Sequence, residues 1–373
     1  MAVRDMAREF AAEKIAPHAL RWDEEKHFPV DVMREAATLG MGGIYIKDDV
    51  GGSAMTRFDA ALIFEALATG CPTVSAFISI HNMASWMIDA FGNDTQRQKW
   101  LPKLCKMEFI ASYCLTEPGA GSDAAALRTR ALREGDHYVL NGQKQFISGA
   151  GGTDLLVAMV RTGGDGPGGV STLVIDGKTP GVSFGANERK MGWHAQPTRT
   201  VNFDGCRVPV AHRLGAEGDG FRIAMKGLDG GRLNIAAASL GGAAGALEKT
   251  LAYMAERSAF GKRLQDFQAL QFRVADMATK VEASRALLYA AAAAFDRGDP
   301  QATVGAAMAK RFVTDTCFDV VDEALQMHGG YGYLAEFGME KLVRDLRVHR
   351  ILEGTNEIMR VIIARALQKE TSQ

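Results

Sequence analysis

Apolar positions change their spacing twice along the chain. From Met1 to about Leu104 they recur at helical intervals, and Pro17, Pro29, Gly51-Gly52 and Pro72 divide the run into several helices. Asp31 ahead of VMREAATLG reads as an N-cap with Gly40 as the stop, and Asp94 ahead of TQRQKWLPKL as a second cap. From about Glu108 to Arg213, short β-rich runs alternate with turn signals: HYVLNGQKQFIS, DLLVAMVRT, GVSTLVID, GVSFG and TRTVNFDGCRVP. Asn141-Gly142 predicts a hairpin, and GGDGPGG over 163–169 a surface turn. From about Gly218 the helical period returns, with helices expected near 219–253, 264–297, 299–328 and 355–370. Four long helices predict a bundle. The expected fold is α+β and multi-domain: an N-terminal helical domain over 1–107, a middle antiparallel β domain (a small barrel or sandwich) over 108–215, and a C-terminal four-helix bundle over 216–373.

A length of 373 residues also exceeds one simple core. The 43 Lys and Arg against 44 Asp and Glu leave a net charge of −1, which argues against a general nucleic-acid binder. Five scattered cysteines without a C-x-x-C suggest reduced thiols rather than a disulfide scaffold or a zinc site. The start, MAVRDMAREFAAEK, has no apolar h-region and is too acidic for a transit peptide. That favours a bacterial cytoplasmic protein, or a processed one of the mitochondrial matrix. The uncharged stretch from Ala66 to Ile88 contains Pro72, His81 and Asn82 and reads as packed helices, not a membrane span. Gly is in excess, 41 against the roughly 26 that an average usage of about 7% would give.

Several nucleotide and metal signals fail. Gly177-Lys178-Thr179 lacks the first glycine of a phosphate loop, since position 172 is Thr, and Pro180 blocks a following helix. GAEGDG at 215–220 has the wrong spacing for a dinucleotide fingerprint, and the eight histidines form no i, i+4 pair, so no metal is expected. Three other stretches are more suggestive. YCLTEPGAGSD, Tyr113 to Asp123, offers hydroxyls and open backbone amides suited to a planar polar cofactor edge, although alone it reads first as a Pro-Gly turn. QMHGGYGY, Gln326 to Tyr333, is first of all a helix C-cap that could also admit a phosphate or ribose. ILEGTNEIMR, Ile351 to Arg360, sets Glu353 among apolar neighbours ahead of a helix that Thr355 can cap. A carboxylate there is either a desolvated base or an exposed acid near a helix N-terminus.

Taken in order with QFIS and ERSAFGKRLQDFQALQ, these motifs identify a resemblance to the acyl-CoA dehydrogenase family of flavoproteins over essentially the whole chain. The resemblance implies FAD between the β domain and the C-terminal bundle. Tyr113, Cys114, Leu115, Thr116, Gly121 and Ser122 match the loop along the flavin edge, with Ser122 also touching acyl-CoA. Phe146, Ile147 and Ser148 match the strand whose last hydroxyl faces the flavin. Arg257, Phe260, Gln268 and the run Gln326, Met327, His328, Gly329 and Gly330 match cofactor contacts, several of them shared across a subunit interface. Phe267 departs from a family pattern with a polar residue before that glutamine. Thr355, Asn356 and Glu357 match dinucleotide contacts. Asp229, Gly230, Gly231 and Arg232 match a substrate-binding turn, and Arg365 a contact to the CoA end.

Glu353 matches the catalytic base. Some members place the base instead near position 231, where this chain has Gly231. The implied reaction is α,β-dehydrogenation: Glu353 removes the α-proton and the β-hydrogen passes as hydride to flavin N5. FEALATGCPTVSAFISIHNMASWMIDAFGN, KDDVGGS, GWHAQPTR and LQMHGGYGYL are most similar to family members acting on isobutyryl-CoA in valine breakdown. Rivals are 2-methylbutyryl-CoA or butyryl-CoA as substrate, and a non-dehydrogenase binding member of the fold. An oxidase is disfavoured because those chains are usually much longer. The family implies a homotetramer and an electron-transfer flavoprotein as electron acceptor, with no nucleic acid or membrane partner.

Overall fold

The computed structural model describes residues 2–370. The N-terminal helices are α1 (Ala2–Phe10), α2 (Ala19–Glu25), α3 (Val30–Thr38), α4 (Arg57–Gly70), α5 (Pro72–Phe91) and α6 (Asp94–Cys105). Pro72 opens α5 where its missing N–H costs nothing, and the uncharged stretch supplies the buried faces of α4 and α5. Two expected caps are displaced by a residue or two. Asn93, not Asp94, caps α6, exchanging hydrogen bonds with Gln96, and Asp31 lies inside the first turn of α3 behind Pro29.

The middle of the chain forms β1 (Ala111–Cys114), β2 (Arg130–Glu134), β3 (His137–Ser148), β4 (Leu155–Arg161), β5 (Val170–Asp176), β6 (Val182–Phe184), β7 (Thr198–Pro209) and β8 (Arg213–Leu214). They make one sheet in the order β6-β7-β3-β2-β4-β5-β8, with β1 beside β4. Most pairs are antiparallel, but β1 and β2 each pair with β4 in parallel. The hairpin expected at Asn141-Gly142 is not there. β3 runs straight through these residues, and the ladder to β7 shifts register between Leu140 and Gly142. The physical reason is close approach: a Cβ on Gly142 would sit 2.7 Å from Thr129 Cα, so the glycine lets two backbones meet at a bulge. The β2–β3 turn lies instead at Gly135-Asp136.

Beyond the sheet come α7 (Gly220–Glu256), a two-residue hairpin of β9 (Ser258–Ala259) with β10 (Lys262–Arg263), then α8 (Gln268–Asp296), α9 (Ala302–Met327), α10 (Met339–Arg347) and α11 (Asn356–Glu370). The four long helices of the sequence pattern are α7, α8, α9 and α11, and α10 is additional. α7 is the axis of the molecule, buried over most of its length against α4, α5 and α9. Much of the glycine excess sits in it. A Cβ at Gly241 would strike the Glu65 carbonyl oxygen of α4, so the two helices touch backbone to backbone.

One buried ion pair ties the sheet to the loop after β1. Lys144 Nζ on β3 donates to Glu117 Oε1 (2.7 Å) and to the Leu115 carbonyl (3.1 Å). The Glu117 carboxylate also accepts the Arg128 and Thr129 amides at 2.5 and 2.9 Å. Burial would raise the Glu117 pKa, but the Lys144 charge and these hydrogen bonds more than offset it and hold the group below its usual value. A carboxyl depressed in the fold stabilises above its ordinary titration range and loses that contribution as pH falls. Lys144→Met is therefore expected to cost about 3–5 kcal/mol at neutral pH, because it strands a buried carboxylate. The double variant with Glu117→Gln should recover much of the loss. Chemical denaturation of the two checks this; equal stability of Lys144→Met and the parent would refute it.

Candidate active site

Glu353 stands on the short link between α10 and α11. Its φ is +56° and that of Gly354 is +87°. A non-glycine residue in this left-handed region costs on the order of 1–3 kcal/mol and must be held by its surroundings. The holder is Lys310, fully buried on α9. Its Nζ donates to the Gly354 carbonyl at 2.8 Å and to Asn356 Oδ1 at 2.9 Å. Asn356 Nδ2 donates in turn to Thr314 Oγ1 (3.0 Å) and Asp315 Oδ1 (2.8 Å), and Arg350 Nε donates to the same Asp315 oxygen at 2.7 Å. Thr355 caps α11 as expected, its Oγ1 accepting the Ile358 amide at 3.3 Å.

The carboxylate so placed faces α7. Glu353 Oε2 is buried and has no hydrogen-bond partner, while part of the residue stays accessible. It fits because residue 231 is glycine: a Cβ there would run into Glu353 Oε2, and would lie 2.9 Å from Met83 Sδ of α5. Burial pushes the Glu353 pKa up to about 7, against the opposing charges of Lys310, Arg232 and Arg57. Burial pushes Lys310 down to about 7, with Glu353 opposing. Such an arrangement can take a proton from a weak carbon acid at neutral pH.

Asp229, Gly230, Gly231 and Arg232 are not in a turn between elements, as the resemblance implied, but in the interior of α7. Helical spacing puts Asp229 beside Arg232 (Oδ1 to NH1, 2.6 Å), and Thr303 Oγ1 donates to Asp229 Oδ2 at 2.8 Å. Tyr113, at the end of β1, reaches the same region, its hydroxyl 3.5 Å from the Ala224 carbonyl.

The residues matched to the flavin edge collect at one rim. β1 places Cys114 inward and buried, Leu115 is also buried, and the chain then opens at Gly121 and Ser122, which are exposed. A Cβ at Gly121 would meet nothing within 4 Å. Phe146 is 63% exposed with φ +59°, Ile147 is buried in the sheet core and Ser148 is half-buried. A second set lines a cleft at the α7–α9 end: Arg257, Gln326, Met327, His328, Gly329 and Gly330 with Tyr253 and Tyr331. Gly329 and Gly330 are open, but the His328 ring is stacked on Tyr253 at 4.4 Å and bonded to the Ala324 carbonyl at 2.7 Å. Phe260, 96% exposed, and Gln268, also exposed, flank this end. The Asn356 side chain is spent on internal hydrogen bonds, Glu357 is exposed beside Arg360, and Arg365 is exposed on α11. The open glycine backbones, the exposed aromatic ring and the cationic Arg257 fit a long dinucleotide.

Pattern reasoning missed Arg57, Lys310 and Trp193. Arg57 and Lys310 sit in ordinary helical runs, so only burial distinguishes them. Trp193 has φ +57°; its amide donates to Asp345 Oδ1 (2.7 Å) and its indole N–H to His349 Nε2 (3.2 Å). The Trp193 tether could have been sought in the GWHAQPTR stretch, whose tryptophan lies between glycine and histidine.

Known proteins resemble this chain along its whole length. Three family descriptions match in order: "Acyl-CoA dehydrogenase, N-terminal domain" over residues 1–108, "middle domain" over 112–206 and "C-terminal domain" over 218–368. The mitochondrial isobutyryl-CoA dehydrogenase of Bos taurus is 54% identical over 365 residues, covering 98% of this chain and 88% of the relative. Butyryl-CoA dehydrogenase from Megasphaera elsdenii superposes with a TM-score of 0.95 at 36% identity, covering 98% of this chain and 97% of that one. The FAD complex of PigA superposes at 0.94 and 30% identity, covering 98% and 97%. This chain belongs to the acyl-CoA dehydrogenase family, whose members are FAD-dependent oxidoreductases acting on the CH–CH bond of acyl-CoA thioesters.

Proposed function

We propose that this enzyme oxidises isobutyryl-CoA to methacrylyl-CoA, with Glu353 as the base that removes the α-proton. The observation that carries the base assignment is the buried, unpartnered Oε2 of Glu353 in the notch left by Gly231. Removal of an α-proton needs a base matched to neutral pH, and a carboxyl raised to about 7 is so matched. Lys310 fixes the base by its grip on Gly354 and Asn356. Thr116 to Ser122, Phe146 to Ser148, and the Arg257 and Gln326–Gly330 cleft would hold FAD. Bound FAD supplies the acceptor for the hydride equivalent of the β-hydrogen. Electrons would leave to an electron-transfer flavoprotein, in the mitochondrial matrix or the bacterial cytoplasm.

The substrate reading rests on the 54% identity to the bovine isobutyryl-CoA dehydrogenase. A butyryl-CoA preference is the second reading, supported by the likeness to the Megasphaera elsdenii enzyme. One methylene or branch changes selectivity by only about 1–3 kcal/mol, so activity must decide. A homotetramer is also proposed, since Phe260, Phe272 and Tyr333 expose aromatic surface next to the Arg257 cleft.

Anaerobic mixing with isobutyryl-, butyryl- and 2-methylbutyryl-CoA, followed by flavin bleaching, separates the readings; isobutyryl-CoA should bleach fastest. Preferential bleaching by butyryl-CoA would move the substrate and keep the chemistry. Glu353→Gln should bind FAD and lose at least 10²-fold in the bleaching rate. Gly231→Ala should do the same by displacing the carboxylate, and an unaffected Gly231→Ala enzyme would refute the notch.

The raised pKa makes a stability prediction as well. Between about 4.5 and about 7 the folded state holds the Glu353 proton that the unfolded state releases, so stability falls as pH rises through that window. Glu353→Gln should therefore be more stable than the parent at pH 8, by about 1–3 kcal/mol, and lose the advantage towards pH 4.5. Denaturation midpoints that run parallel at all pH values would contradict it.

A further inference from the structure

Three cations from three helices face Glu353: Arg57 at the start of α4, Arg232 in α7 and Lys310 in α9. Tyr45 and Tyr113 face the same site. The cations are not equally committed. Lys310 is spent on the Gly354 carbonyl and Asn356. Arg232 is paired with Asp229, although its Nε has no partner. Among the described residues no carboxylate is hydrogen-bonded to the Arg57 guanidinium. Asp296 accepts the backbone amides of Arg57 and Phe58 at 2.8 and 2.9 Å, not the guanidinium.

Arg57 is nonetheless 6% exposed, and its NH1 is buried without a partner. The guanidinium lies 3.5 Å over the Tyr45 ring, with Trp86 at 5.0 Å and Phe295 at 5.8 Å. Taking such a charge out of water costs several kcal/mol, and aromatic faces return only part of it. The tandem glycines of α7 show where the spare donor lies. A Cβ on Gly230 would sit 2.6 Å from Arg57 NH1, and a Cβ on Gly231 would strike Glu353 Oε2. Consecutive notches of one helix thus hold an unpartnered donor and an unpartnered acceptor.

We propose that Arg57 is a positioning residue for the proton-removal step. Its uncommitted NH1 is the group that meets ionised Glu353, directly or through one bridging water, and keeps the carboxylate available as a base at neutral pH. This rests on Glu353 being that base. Arg57 acts through Glu353, so its loss should change the pH at which the base becomes usable more than the rate once the base is ionised.

The test is anaerobic flavin reduction of the holoenzyme, followed from about pH 5.5 to 9 with the acyl-CoA that reduces the parent fastest. Parent, Arg57→Met, Arg57→Gln, Arg57→Lys and Glu353→Gln are compared. In Arg57→Met and Arg57→Gln the acid limb should move to higher pH, with reduction near pH 6 falling about tenfold or more. Their alkaline plateaux should stay within about threefold of the parent, and Arg57→Lys should restore the limb. Should neither neutral variant retain flavin, Gly230→Ala decides, because its methyl group would displace NH1 and should shift the limb in the same direction. An acid limb that coincides with the parent's, while Glu353→Gln is inert, overturns the role of Arg57. An active Glu353→Gln enzyme instead overturns the base assignment, and this proposal with it.

Discussion

Everything around Glu353 depends on the burial of its carboxylate against Gly231, a point of α7 that offers no side chain. Water would hydrate Glu353 and leave it a weak base. Against α7, Oε2 loses that hydration and finds no hydrogen-bond donor, so its proton affinity rises to the neutral range. The glycine at 231 makes this possible by absence, since any Cβ would occupy the carboxylate's place. A side chain at 231 and the carboxylate in its present place exclude each other, so a Cβ there would push Glu353 Oε2 aside.

The rest of the structure supplies what that placement requires. Glu353 sits in a strained backbone conformation, and the strain is held by Lys310, Asn356, Thr314, Asp315 and Arg350 on three neighbouring segments. The loop after β1 is fixed to the sheet by the buried Lys144–Glu117 pair. Trp193 is tied to α10 and the turn after it by Asp345 and His349. Glu353, Trp193 and the loop after β1 are thus each held by buried polar contacts. α7 joins them, because its small residues let α4 and α5 close on it tightly enough to bring Arg57 and Met83 to the same spot as Glu353.

Much of this was legible in the residues. The change of period near 108 and again near 218 marked the helical, β and helical zones, and the order of motifs singled out the loop after β1, the α7–α9 end and Glu353 as candidates. What failed was local. Asn141-Gly142 has the composition of a hairpin, yet its glycine serves a close contact with Thr129, and a sequence cannot tell a turn from a bulge. Asp94 looked like a cap because it starts the helical run; Asn93 wins because its side chain and that of Gln96 can bond reciprocally. Arg57 and Lys310 were invisible, because a cation in a helix is ordinarily solvated and only the tertiary fold buries these two. That the Asn356 side-chain amide is bonded to Thr314 and Asp315 was equally invisible, since it requires knowing its neighbours.

The account turns on the protonation state of Glu353 in the folded protein. The direct measurement is the infrared carbonyl band of a protonated carboxyl group, taken as the difference between the parent and Glu353→Gln and titrated across neutral pH. The account predicts a band that is present in mild acid and disappears with a midpoint of about 7. A difference spectrum showing Glu353 already ionised near pH 5 would contradict it, because the carboxylate would then be solvated or paired and the burial against Gly231 would not set its chemistry.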